Sequence, residues 1–129
     1  MKNKKIYKYG NHEKLLVWKM ADELDKIVQK ILKQIPKNEY KLRSQIDQAS
    51  DSIGSNITEG HYSGLVKEFI RFLRYSRRSC GELQERVRRV LRKGYIKEEL
   101  FNEFNEKAVK TGYMLDRLIQ SKEKYLAEE

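Results

Sequence analysis

Chemistry in this 129-residue chain has to come from two histidines, one cysteine and nineteen acidic residues. A carboxylate-bridged metal bundle needs inward-facing Glu residues and a Glu-x-x-His pair on two helices. Neither His12 nor His61 has a Glu three positions before it, and His61 falls in a segment that reads as loop, so no metal site is expected. One Cys, two His and no Gly-x-Ser-x-Gly leave no activated nucleophile beside a base. Gly60 and Gly64 are not followed by Gly-Lys-Ser/Thr and form no phosphate loop of the Walker type. Cys80 falls on an apolar helix face, where a small buried hydrophobe is the better reading than a reactive thiol. With no partner for an internal disulfide, it points to a reducing, cytoplasmic compartment. No catalytic residue and no cofactor are expected.

One polar constellation stands out. Asn56 and Glu59 lie three apart on one helix face before Gly60, with Gln45 and Ser52 upstream. They read either as a ligand or proton-transfer site, or as a hydrogen-bond network that pins helix register. The network reading has the better support, because no second titratable partner or phosphate loop accompanies them.

The elements that must carry these residues are helical. Apolar residues recur at three- and four-residue spacing over segments of about 12–35, 37–58, 65–93 and 97–126. Their stripes are Leu16-Met20-Leu24-Ile27-Ile31-Ile35, Leu42-Ile46-Ala49-Ile53-Ile57, Phe69-Phe72-Ser76-Cys80-Leu83-Val87-Val90 and Phe101-Phe104-Ala108-Thr111-Leu115-Leu118. Pro36 should stop the first helix, Gly60 to Gly64 is the strongest loop signal, and Gly94 supplies a C′ cap for the third. Four such helices close most simply as an all-α, antiparallel up-down-up-down four-helix bundle spanning 12–126. Residues 1–11 read as a flexible basic arm, and the acidic tail beyond Tyr125 as frayed. The longest apolar run, Leu15 to Trp18, is too short to span a membrane, and no membrane partner is expected. Gly54, Gly81 and Gly112 sit inside helices and mark close contacts or kinks.

The net charge of +9 is concentrated. Residues 65–93 hold ten basic residues against three acidic ones, and residues 1–10 hold four lysines and no acid. With Phe69 at 0° and 100° per residue, Lys67, Arg71, Arg74, Arg78, Arg89 and Arg92 fall between about 140° and 200°, opposite the core stripe. That row runs roughly 38 Å, long enough for a phosphate backbone to lie along it. Tyr75 stands beside it, where it could stack on a base. Glu82 could pair with Arg78 and Arg86, and Glu85 with Arg89, which would make part of the row a solvated ion-pair face. Three acids do not neutralise ten bases, so a polyanionic partner, RNA or DNA, is expected through this row together with Lys4 and Lys5. The rival is an interaction scaffold whose basic face meets an acidic protein partner.

Several segments resemble one family. Val17 to Ala21 and Ile35 to Tyr40 are similar to the opening of the proteins encoded in 23S rRNA intervening sequences, and Gln45 to Ile53 matches the family more strongly. Asn56-Ile57-Thr58-Glu59-Gly60 resembles that family's Asn-Ile-x-Glu-Gly signature. Glu68 to Leu73, Ser79-Cys80-Gly81-Glu82-Leu83 and Gly94-Tyr95-Ile96 are similar to its third helix and following turn. The resemblance implies a left-handed four-helix bundle, assembly with itself as a homopentamer, and no known catalytic activity. Asn56, Glu59, Gly60, Glu68, Phe69 and Glu82 carry over as signature residues of structural role. A related branch, the accessory variability determinant proteins of diversity-generating retroelements, binds nucleic acid and a reverse transcriptase. The sequence departs from the pattern at Gly54, where proline is common, and at Leu65, where a capping Ser or Thr is common. Ser63 is expected to cap the third helix instead.

Overall fold

The computed structural model describes residue 12 and residues 15–128, so the arm 1–11 with Lys4 and Lys5 lies outside the described residues. Four helices follow one another: α1 (Leu16–Gln34), α2 (Tyr40–Tyr62), α3 (Val66–Arg92) and α4 (Glu98–Ala127). Together they make an all-α four-helix bundle, with no strand among the described residues.

Each boundary has a local cause. Pro36 forces Ile35 out of the helical region, to ψ 130°, and α1 stops one residue earlier. The Arg43 guanidinium then donates to the Ile35 carbonyl at 3.3 Å, satisfying one of the acceptors a helix end leaves open. At the end of α3, the Gly94 N–H donates to the Leu91 carbonyl and the Tyr95 N–H to the Val90 carbonyl. With Gly94 at φ +77°, this is a Schellman closure, the cap expected of that glycine.

The second turn differs from expectation. The helix does not end at Thr58 but runs through Gly60 and a buried His61 to Tyr62, leaving only Ser63, Gly64 and Leu65 between helices. Gly60 is a contact glycine rather than a helix breaker. A Cβ placed there would lie 2.8 Å from the Phe72 Cβ and 2.9 Å from Phe69 Cδ1. The turn itself is made by Gly64 at φ +79°. Ser63 does not cap α3; its hydroxyl donates to the Gly60 carbonyl at 2.6 Å and to the Leu65 carbonyl at 3.3 Å. Leu65 is the N-cap without any side-chain bond, and Glu68 in the first turn complements the helix dipole. At the far end, α4 stays helical through Ala127, beyond the expected fraying point.

Helices that follow one another in sequence pack together, and α1 packs against α4. Partners across each seam run in opposite senses: Asp25 meets Ser50 and Gln29 meets Asp47, while Arg74 meets Glu123 and Arg77 meets Asp116. The apolar stripes meet in one core whose largest enclosed side chains include Phe69, Phe104, Leu24, Ile46, Ile53 and Leu115. Four stripe residues lie outside the enclosed core, Met20 among them half-buried. Leu16 is 66% exposed, because Val17 and Ala21 take the inward positions at the start of α1. Phe72 and Leu118 are only half-buried, while Ile70, Leu73 and Ile119 are enclosed. The buried sector of α3 is wider than its stripe because the helix packs on two neighbours, α2 and α4.

The buried hydroxyls of Ser76 and Thr111 find backbone acceptors. Ser76 donates to the Ile53 carbonyl across the α2–α3 seam at 2.8 Å, and Thr111 to the Lys107 carbonyl one turn back at 2.7 Å. At the end of the bundle holding the α1–α2 and α3–α4 turns, Lys93 and Tyr95 both donate to Glu39 Oε2 at 2.7 Å. The Glu39 carboxyl is thereby held below its ordinary value of 4.5, first by the Lys93 bond and next by that of Tyr95.

Two measurements test these contacts. Gly60→Ala should lower unfolding free energy by about 1–3 kcal/mol through overpacking against Phe69 and Phe72, beyond any helix-propensity gain. Gly81→Ala, with nothing within 4 Å of its added Cβ, should raise it by about 0.5–1 kcal/mol in the same urea titration. Equal effects at the two glycines would remove the close α2–α3 contact from the account. Glu39→Gln tests the tie between the turns. A carboxylate favoured in the folded state stabilises it above the unfolded value, and that contribution is lost as pH falls through the folded one. The Gln variant should therefore be the less stable chain at neutral pH, with the gap closing below about pH 4.5. A gap independent of pH would assign it to packing instead.

Candidate nucleic-acid interface

The outer face of α3 presents the basic row to solvent, because the α2 and α4 seams fix the rotation of the helix about its axis. Lys67, Arg71, Arg74, Arg78, Arg89 and Arg92 are all exposed. The row divides into paired and unpaired members. The Arg71 guanidinium bonds Glu68 at 2.9 Å, a contact that raises its already high pKa further. Arg74 bonds Glu123 of α4 at 2.5 Å, and Arg92 reaches Glu85 at 3.5 Å. Lys67, Arg78 and Arg89 have no ion pair among the described residues. The expected neutralising pairs are not formed: Glu85 turns to Arg92 rather than Arg89, and Glu82 pairs with neither Arg78 nor Arg86. All these contacts are exposed, so each is worth little and none fixes the arginine against a competing anion.

Tyr75 stands where it was expected, beside the row and half-buried. Arg71 lies 5.7 Å and Arg78 5.6 Å from the centre of its ring, and Arg71 also lies 5.3 Å from that of Phe72. Two guanidinium groups thus flank one aromatic ring, combining charge with a stacking surface. Between α3 and α4, Arg77 bonds Asp116 at 3.0 Å and lies over Gly112, where an added Cβ would come within 3.1 Å of the guanidinium carbon. Of the three mid-helix glycines, Gly112 marks a close contact. Gly54 meets Trp18 only at an ordinary 3.8 Å, and Gly81 faces open space.

Of the polar constellation on α2, Asn56 and Ser52 are tied into a network with α3. The Asn56 amide donates to the Ser52 carbonyl at 2.8 Å and to its hydroxyl at 2.9 Å, and the Ser79 hydroxyl of α3 donates to the Ser52 hydroxyl at 2.8 Å. Glu59 is exposed and takes no part in this network. Gln45 lies elsewhere, lining a cleft with Lys41, Arg86 and Arg89 that the sequence reasoning missed. The available signal was Arg86, one side of the basic row and facing the start of the second helix. Among the described residues no group of three or more His, Cys, Asp or Glu is arranged to hold a metal. None of the helices is long and apolar enough to cross a membrane.

Cys80 is fully enclosed, its thiol against the Ala108 carbonyl at 3.5 Å. Burial pushes the thiol up to about 11, with Arg77 pulling weakly the other way. A neutral, enclosed thiol is inert. Ellman's reagent should therefore label Cys80 at neutral pH only at the rate of global unfolding, and at once in denaturant. Rapid labelling of the folded chain would place the thiol at the surface.

Comparison with known proteins agrees with this architecture. A protein of unknown function from the S23 ribosomal protein family of Bacteroides thetaiotaomicron superposes with a TM-score of 0.73 at 23% identity, over 81% of this chain and 98% of its own. That likeness shows the fold. No protein of curated function matches the chain. The family model for 23S rRNA-intervening sequence proteins matches residues 13–117, from the start of the bundle to within α4, and the chain belongs to that family.

Proposed function

We propose that this chain is a non-enzymatic nucleic-acid-binding protein, RNA-associated and acting as a homo-oligomer, whose α3 outer face tracks a phosphate backbone. The observation that carries the reading is the unpaired set Lys67, Arg78 and Arg89 on an exposed face, with Tyr75 between two guanidinium groups. Exposed cations without acidic partners release condensed counterions when phosphates replace them, and this release is the main source of sequence-independent affinity. The arginine-flanked ring adds a stacking surface for an unpaired base. A homopentamer, implied by the resemblance to the family, would present the row five times and turn weak contacts into avid ones. The basic arm with Lys4 and Lys5 adds to the chain's positive charge. A cytoplasmic location fits the single cysteine.

The best test uses residues that hold no ion pair among the described residues. Lys67→Gln with Arg78→Gln removes two phosphate contacts while leaving the paired arginines and the core intact. Binding to a labelled rRNA fragment, followed across a salt series, should weaken, and the slope of log K against log salt should fall by about 1.4–1.8. An unchanged affinity and slope would remove this face from the account. Binding of heparin as tight as that of RNA would reduce it to a general polyanion surface. Capture of an acidic protein from nuclease-treated lysate, with no RNA binding, would favour the scaffold reading.

A further inference from the structure

A cleft of about 210 Å³ lies between the start of α2 and the last turns of α3, away from the Lys67 to Arg78 end of the basic row. Lys41, Arg86, Arg89 and Lys93 line it with Gln45 and Glu39. Four cations against one carboxylate leave a surplus of three positive charges around it. The carboxylate is already committed, since both Lys93 and Tyr95 donate to the same Glu39 oxygen at 2.7 Å. Arg86 is not committed. It is half-buried, its Nε is shielded from solvent without a hydrogen-bond partner, and no acidic residue pairs with it. A partly desolvated guanidinium without a counter-charge is unfavourable unless an anion completes it. The first turn of α2 also borders the cleft; its N-cap, Glu39, makes no side-chain bond to that turn's N–H groups, its carboxylate being held by Lys93 and Tyr95 instead. Its free N–H groups and dipole add to the positive potential.

We infer that this cleft is a binding site for a phosphate group, with Arg86 and Lys41 as its principal donors and Arg89 at its mouth. The chemistry favours a compact tetrahedral oxyanion. The volume corresponds to about seven waters, and arginine offers two parallel donors to adjacent phosphate oxygens where lysine supplies a point charge. Gln45 supplies a neutral donor for a third oxygen. The group could be free inorganic phosphate or the terminal phosphate of a nucleic acid strand. The site shares Arg89 with the proposed α3 backbone contact, but its principal donors, Arg86 and Lys41, lie outside that row.

Titration of the full chain with inorganic phosphate, followed on the arginine Nε–H resonances, tests the site directly. The Arg86 resonance should shift and saturate with a dissociation constant on the order of 1 mM, while chloride at equal ionic strength leaves it in place. Lys41 is exposed at the start of α2, so Lys41→Gln should fold normally and weaken the response about tenfold, the effect of one charge-assisted hydrogen bond. Arg86→Gln should abolish the phosphate-induced shifts of neighbouring backbone amides. Lys67→Gln with Arg78→Gln should leave the titration unchanged, so loss of the α3 backbone contact and loss of this site are separable. A 5′-phosphorylated oligonucleotide binding tighter than its 5′-hydroxyl counterpart would identify a strand end as the source; equal binding of the two, with inorganic phosphate still saturating, would identify the free ion. Equal shifts with chloride, or a Lys41→Gln titration like that of the parent chain, would overturn the site.

Discussion

The close approach of α2 to α3 at Gly60 governs the rest of the molecule. With no side chain there, Phe69 and Phe72 press against the α2 backbone, nearer than any Cβ would allow. Two turns along the same seam, Ser76 reaches the Ile53 carbonyl and Ser79 joins the Ser52 and Asn56 network. Bonds from side chain to backbone across a seam have a single geometry, so they lock rotation and register as well as distance. Once α3 is fixed in this way, its buried sector faces α2 and α4 and its basic row has nowhere to point but outward. The exposure of the charges follows from an apolar contact made on the opposite side of the helix.

A helix this basic has to be held against its own repulsion. Partial relief comes from α4, which brings Glu123 to Arg74 and Asp116 to Arg77, and from Glu68 and Glu85 on α3 itself. These pairs are exposed, contribute little each, and weaken with salt. The core must therefore hold α3 in place while most of the charge remains available to an external anion. Loosely paired cations of this kind can exchange their acidic partners for an external anion, so a stable bundle and an accessible basic face share one helix.

The fold was largely legible because helix periodicity is a strong local signal. The four segments, the Pro36 stop and the Gly94 cap were all visible in residue types and spacing. The errors came where a residue's role depends on a neighbour distant in sequence. Gly60 looks like a helix breaker until Phe69 and Phe72 lie against it, and His61 moved from loop to helix with it. Leu16 and Val17 are equally apolar, so which one faces inward is decided by where α2 and α4 sit. The candidate site was legible in part for the same reason. The basic row follows from angles on one helix, whereas the ion pairs to Glu123 and Asp116, and the cleft joining Lys41 to Arg86, require two helices to be placed first.

Two features of α3 run against helix stability taken alone. Gly81 sits in mid-helix with open space above it, where alanine would be favoured by about 1 kcal/mol. Arg86 is half-buried with no acid beside it, although an uncharged side chain of similar length would avoid the desolvation. Elsewhere the helices follow local rules: apolar stripes inward, a glycine closure at the end of α3, satisfied core hydroxyls. Departures from such consistency concentrate where a surface serves contact rather than stability. Gly81 leaves the α3 backbone approachable between Arg78 and Glu85, beside the basic row, and Arg86 borders the phosphate-sized cleft. The two costs fall on the same helix that carries the charge surplus. A bundle shaped by stability alone would have removed both, and an anionic partner for α3, as proposed, would give a reason to keep them.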